Sequence, residues 1–209
     1  MKKLVQLSLW ITLVMASSWT LADTRITWTA FTGQSLSIDH KDSQTVRVNF
    51  GSDYLLLNQG KPYINYQGQM MELSSTIAQY KKALPNQLLN QKHSIKIFKT
   101  NKTKKVAGLQ GIVYDVILEG KKYEVVIGDD PTIIKVQKDA LGGVMKEIGG
   151  NATVMPFLKM VSVFTSIIDR GAVLSIGASE GSMALKSVET LNIPSSRFIV
   201  KNLSKGNDF

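Results

Sequence analysis

The chain has 209 residues, 44% hydrophobic and 20% charged, with a formal charge of +9. That composition supports one packed core and excludes global disorder. The absence of cysteine excludes disulfide scaffolds, thiolate zinc sites, iron–sulfur clusters, cysteine nucleophiles and lipoprotein attachment through an N-terminal cysteine.

Residues 1–22 read as a cleaved signal peptide. Lys2 and Lys3 form a basic start, Leu4 to Met15 is nearly all apolar, and Thr20-Leu21-Ala22 places small residues at a cleavage site after Ala22. The apolar run is too short for a durable membrane span, which needs about 20 residues. Cysteine-free exported chains fit a bacterial envelope, so the expected location is periplasmic or secreted, of Gram-negative type, with a soluble product. In that setting the Asn-x-Ser/Thr triplets at Asn101, Asn151 and Asn202 are chance matches. Residues 23–209 show no repeat or linker and read as a single domain.

From Arg25 to Ala30 and from Gln44 to Phe50, apolar and polar residues alternate, the pattern of half-buried strands. Tyr54–Leu57 and Tyr63–Tyr66 continue a meander through Gly-containing turns. Ser74 or Ser75 then caps a helix with Ile77, Tyr80 and Leu84 on one face, ended by Pro85; Leu88 and Leu89 start a short second piece. Strand pattern returns at Ser94–Thr100, and Gln110–Leu118 with Lys121–Ile127 form a hairpin around Glu119-Gly120. Asp129-Asp130-Pro131 is a stop, and Asp139–Ile148 is weakly helical. A strongly amphipathic helix follows from Val154 to Ile168. Ala172–Ile176, Ser182–Leu191 and Arg197–Val200 complete a set of nine or ten strands. Sequential strands with short turns make an antiparallel sheet, and helices inserted in runs make the class α+β. A sheet this large tends to curl towards a barrel or half-barrel.

Four stretches resemble an exported bacterial family, domain-of-unknown-function family 4412, a branch of the lipoprotein-localisation-factor (LolA/LolB-like) superfamily. They are Val46-Arg47-Val48 leading to Tyr54-Leu55-Leu56-Leu57; YINYQGQMMEL from Tyr63 to Leu73; VAGLQGIVYDV from Val106 to Val116; and LNIPSSRF from Leu191 to Phe198. The resemblance implies a half-open β-barrel, a strongly curved antiparallel sheet whose concave face is covered by helices. In relatives of the carrier type that face holds acyl chains. The family brings no catalytic residues and no cofactor.

No catalytic motif stands out, so the chain reads as a non-enzyme, with an uncharacterised hydrolase as the third choice. Gly177-Ala178-Ser179-Glu180-Gly181 comes nearest to the Gly-x-Ser-x-Gly form of a nucleophile elbow but lies between two strands, where a hairpin turn explains it, and Asp129-Asp130 reads as a turn. His40 and His93 read as surface residues in turns, with no metal site. The leading function is binding of a lipid or other apolar ligand, with Val154, Phe157, Leu158, Val161, Phe164 and Ile168 lining a cavity. The same helix also reads as ordinary core. Lys96, Lys99, Lys102, Lys104 and Lys105 lie in a run without acids. They read either as edge protection or as contact with an anionic membrane surface. Lysines without interleaved arginine or exposed aromatics are a poor nucleic-acid signature, so no nucleic-acid partner is expected. The alternative function is a structural or protein-interaction module with a filled core that meets another envelope protein.

Overall fold

The computed structural model describes residues 22–30, 33–83, 94–148, 164–178, 181–201 and 203. The signal segment before Ala22, Leu84, Pro85, Leu88, Leu89, His93 and Val154, Phe157, Leu158 and Val161 of the expected amphipathic helix lie outside them. Eleven strands are described: β1 (Asp23–Thr29), β2 (Ser35–Asp42), β3 (Thr45–Phe50), β4 (Asp53–Asn58), β5 (Lys61–Tyr66), β6 (Gln69–Glu72), β7 (Ile95–Val106), β8 (Leu109–Leu118), β9 (Lys121–Gly128), β10 (Ala172–Ala178) and β11 (Gly181–Leu191). Helix α1 spans Leu73–Ala83 and helix α2 spans Pro131–Ile148.

All eleven strands form one sheet in the order β6-β5-β4-β3-β2-β1-β11-β10-β9-β8-β7. Every ladder is antiparallel. The sheet is thus two meanders, β1–β6 and β7–β11, joined where the first strand pairs with the last, from Asp23 opposite Leu191 to Thr29 opposite Ala184. The end strands β6 and β7 are not paired with each other, so the sheet is not closed into a barrel. Register shifts at Thr27/Trp28, His40/Asp42, Lys99/Thr103 and Val173/Ser175 interrupt four ladders. Such bulges bend a strand and increase its twist.

Four two-residue turns follow one rule. Gln59-Gly60, Gln67-Gly68, Ala107-Gly108 and Glu119-Gly120 all have positive φ at both residues, the type I′ geometry that matches strand twist. Gly supplies the second position at no steric cost, while the first residue takes the left-handed conformation to keep the hairpin tight.

The α+β class and the antiparallel sheet are as expected, but several elements differ. Strand β2 is not among the expected strands: Leu36 and Ile38 alternate with Ser35, Ser37 and Asp39, but the run is cut short by His40, which continues the apolar face and is buried, as is Asp39 on the other face. Strand β6 is only four residues long and lacks a signal. Strand β7 runs on to Val106. Helix α1 begins at Leu73, ahead of both serines, with Thr76 Oγ1 donating to the Glu72 carbonyl at 3.0 Å. Helix α2 begins at Pro131, eight residues before the expected start. Asp130 is its N-cap: the carboxylate accepts the Ile133 N–H at 2.9 Å, and Pro131 fills the first helical position, where no N–H is needed. What reads as a stop is a helix start. Arg197–Val200 is not a strand; Ser195–Phe198 forms a 3₁₀ turn behind Pro194.

The core lies between the sheet and α2. Ile26, Trp28, Val125, Ile133, Val136, Leu174, Ile176 and Met183 are essentially inaccessible. Trp28 Nε1 is buried there without a hydrogen-bond partner among the described residues. Helix α2 packs across β2, β3, β4, β5 and β10. On the other side of the sheet the tail after β11 lies over β3 and β4, burying Ile193 and Phe198 against Leu56 and Met70. The β3–β5 region is therefore covered on both faces.

Two glycines separate turn strain from packing. At Gly111 in β8 an added Cβ would sit 2.6 Å from Val126 Cγ1 and 2.9 Å from the Ile127 carbonyl oxygen. At Gly108 nothing lies within 4 Å, but φ is +86°. Gly111→Leu should cost about 2–3 kcal/mol of stability through overpacking, and Gly108→Leu about 1–2 kcal/mol through the backbone alone. Urea unfolding checks the pair, and wild-type stability of Gly111→Leu would contradict this placement.

Candidate functional site

Helix α2 is fixed to the sheet by two polar contacts that set the geometry of everything on that face. In the first, β10 pairs with β11 only from Ser175 onward, leaving Val173 without a partner on that side. The Gln137 side chain supplies one: Nε2 donates to the Val173 carbonyl at 2.8 Å, and Oε1 accepts the Val173 N–H at 3.0 Å. Both bonds are buried. In the second, His40 Nε2 lies 2.8 Å from Asp139 Oδ2. Lys135 Nζ approaches the same oxygen at 2.6 Å from one turn away. Burial works against the Asp139 carboxylate, but hydrogen bonds from Lys135 and His40 outweigh it and hold its pKa below the usual value.

His40 is therefore not a surface turn residue. It stands on β2, paired with Val46 and Thr24, and is 6% exposed. The pair spans sheet and helix as a clamp. No group of three or more His, Asp or Glu among the described residues is arranged to hold a metal.

Among the described residues, one small gap lies beneath α2. The gap lined by Val46, Val48, Leu55, Leu57 and Ala140 measures about 10 Å³, around the lower limit for a single water. The open space on this face lies farther along the sheet. A cleft of about 270 Å³ sits over β8 and β9, lined by Gln110, Gly111, Ile112, Tyr114, Ile127 and Gly128, with Thr103, Asp129 and Arg170 at its rim. The Arg170 guanidinium carbon stands 5.9 Å from the centre of the Tyr114 ring, within cation–π range. A larger depression of about 520 Å³ lies near the β10–β11 turn, lined by Lys122, Glu124, Gly177, Ala178, Gly181 and Ser182. Its two charged residues are already engaged, Lys122 with Asp115 at 2.7 Å and Glu124 with Lys104 at 2.9 Å. It is open and offers no convergent free groups.

The five lysines all lie on β7, the end strand of the sheet, and all are exposed. The structure does not bring them to one face. Lys99 pairs with Tyr114 and Lys105 with Gln110, which puts both on the cleft side. Lys96 and Lys104 belong to the opposite side, where Lys104 is bound by Glu124. Lys102 lies in the bulge between Lys99 and Thr103, where Thr100 Oγ1 donates to the Val113 carbonyl at 2.8 Å and accepts the Lys102 N–H at 3.1 Å.

Of the expected apolar lining, two residues are described. Phe164 is half-buried and packs against the main core, and Ile168 is buried at the start of a 3₁₀ turn. That turn, Ile168–Arg170, delivers Arg170 to the cleft. Read in one dimension, Arg170 only ends a helix, and Gln110 and Tyr114 have no role. The readable signal is the alternation Gln110, Ile112, Tyr114 on one face of β8, with Gly111 between.

The opposite face carries a separate ionic cluster. Asp39, with no exposed side-chain surface, accepts Arg25 Nε at 2.6 Å and Arg197 Nε at 2.9 Å. Arg47 donates to the Arg197 carbonyl at 2.9 Å and to Asn49 Oδ1 at 2.7 Å, and stacks 3.6 Å above Tyr54. Burial lowers the Arg47 pKa, opposed chiefly by Tyr54. Asp23 accepts the Ile193 N–H at 2.8 Å. These groups strap the tail across the sheet.

No family model and no curated protein matches the chain. Among solved structures, two crystal forms of PNGF-II align with 88% of it at 14% and 9% identity, with TM-scores of 0.44 and 0.43. The aligned part is 30% and 31% of those chains, so the protein spans about a third of their length. An uncharacterized conserved protein from Thermus thermophilus aligns over 85% of this chain and 83% of its own, at 7% identity and a TM-score of 0.40. Likeness at this level carries no functional argument.

The depressed Asp139 pKa has a definite pH signature. A carboxylate held below its unfolded value stabilises the fold above that value, about 3.9, and the contribution is lost as pH falls through the folded pKa. Asp139→Asn should therefore cost about 1–2 kcal/mol at pH 7. The gap to wild type should shrink in acid below about pH 4. Urea midpoints across pH 2.5–7 (about 0.5 unit apart) measure it, and a gap that widens on acidification would contradict the clamp.

Proposed function

We propose that the protein is a non-enzymatic, exported component of the bacterial cell envelope that binds a lipid or other apolar ligand on the helix-bearing face of its sheet. In this reading the open sheet is the strongly curved half-barrel of a LolA-like domain, as the resemblance to family 4412 implies. The observation that carries it is the distribution of space on that face. The gap described under α2 has room for no more than about one water, while a cleft over β8 and β9 opens above Ile112, with the nearly buried Tyr114 and Ile127 at its base. Among the described residues no helix is long and apolar enough to cross a membrane, which agrees with a protein that meets its ligand at a surface.

The second reading, an interaction module for another envelope protein, is favoured by the small size of the gap beneath α2. Ligand binding separates the two. Native mass spectrometry of protein purified from its own envelope should show a co-purifying lipid-sized mass. Phe164→Ala should keep the circular-dichroism spectrum and change the affinity for a fluorescent fatty acid by about threefold or more, since a buried methylene is worth about 0.8 kcal/mol. A wild-type protein that carries nothing and binds no probe, with Phe164→Ala merely unfolding, would replace the carrier reading by the interaction module.

A further inference from the structure

We infer that the cleft over β8 and β9 is a site for a small amphiphile with one anionic end, a medium-chain carboxylate being the simplest member of the class. The inference rests on the ligand-binding reading above and specifies its chemistry. Three features of the cleft converge on it. The floor is apolar: Ile112, Tyr114 and Ile127 stand on one face of adjacent strands, since Ile112 pairs with Ile127 across the β8–β9 ladder. The rim is cationic from two directions. Arg170 enters from the 3₁₀ turn before β10 and leans over the Tyr114 ring. Lys99 and Lys105 flank the floor on β7, opposite Tyr114 and Gln110, and neither has an ion-pair partner among the described residues. Gln110 and Thr103 add polar groups beside them.

Charge and size then narrow the ligand. Arg170 and Asp129 are the charged residues that line the cleft, and Lys99 and Lys105, on the same face of the neighbouring β7, tip the balance of charge around it towards a negative group. The cleft volume of about 270 Å³ lies just under the range of about 300–1,000 Å³ usual for small-molecule sites. It suits a short or medium chain, or one segment of a longer lipid. Gly111 contributes by omission: with no side chain, it lets β8 lie against Val126 and the Ile127 carbonyl, keeping the floor close-packed. A carboxylate between Arg170 and the β7 lysines would leave its chain over Ile112 and Ile127. The lysines that share no face with the cleft, Lys96 and Lys104, take no part.

Calorimetric titration with three probes tests this: octanoate, 1-octanol and inorganic phosphate. Octanoate should bind the wild type at least about tenfold more tightly than octanol, because only the acid meets the rim charges. The variant Arg170→Gln/Lys99→Gln/Lys105→Gln should lose that preference, about tenfold in octanoate affinity, with octanol binding and the circular-dichroism spectrum unchanged. The control Lys96→Gln/Lys104→Gln should behave as wild type. Equal binding of octanoate and octanol would overturn the anionic specificity while leaving apolar binding intact. Phosphate binding without octanoate binding would overturn the amphiphile. A wild type that binds neither octanoate nor octanol would sink the apolar-ligand reading together with this site.

Discussion

The arrangement of this molecule depends on one side chain supplying what a strand does not. Strand β11 pairs with β1 along one side, which joins the two meanders into one sheet, but with β10 on its other side over only four residue pairs. That short ladder leaves the backbone of Val173 buried with no ladder partner on that side. An unpaired buried amide costs about 1–3 kcal/mol, so the gap must be filled. The Gln137 amide has one donor and one acceptor at the spacing of a peptide group, and it satisfies both ends of Val173. The demand of the sheet thereby fixes the depth and rotation of α2. Once Gln137 is placed, Ile133, Val136 and Ala140 face the core and Asp139 faces His40.

Fixing α2 also partitions the surface it covers. The helix packs over β2–β5 and β10, and the described cleft lies over β8 and β9. The polypeptide then returns through the Ile168–Arg170 turn, and Gly171 brings it onto β10 at φ +143°. The result is an arginine held at the margin of an apolar floor, next to an edge strand rich in lysine. On the opposite face the tail, pinned by Asp39, Arg47 and Asp23, covers Leu56 and Met70. Residues of β3, β4, β6 and the tail meet there, through Arg47 and Tyr54, Met70, and Arg197 and Phe198.

Much of the sheet was legible because periodicity reports burial on one face. Val46, Val48 and Phe50, or Tyr123, Val125 and Ile127, alternate cleanly, and the X-Gly pairs mark their turns. Legibility failed where both faces are buried or where a polar residue serves the core. Strand β2 carries His40 toward α2 and Asp39 toward the strap, so its alternation of Leu36 and Ile38 with serines is too short to stand out in one dimension. The start of α2 was hidden because Asp130-Pro131 signals a turn and a helix N-terminus with the same residues. The cleft was legible only in part. Lys99 and Lys105 were singled out together with lysines that point elsewhere, and only the register across the Lys99/Thr103 bulge separates them. Arg170 comes from 60 residues beyond Gln110, and no local pattern joins the two.

The central claim is that Gln137 acts as the missing strand partner and thereby sets α2 on the sheet. Substitution Gln137→Leu keeps the volume and removes both hydrogen bonds. Combined urea unfolding and amide hydrogen exchange then give a direct answer. Stability should fall by about 2–4 kcal/mol, since two buried backbone groups lose their partner. Exchange at the Val173 amide and through α2 should accelerate while the β3–β5 amides stay protected. A variant within about 0.5 kcal/mol of wild type, with the Val173 amide still protected, would contradict the account.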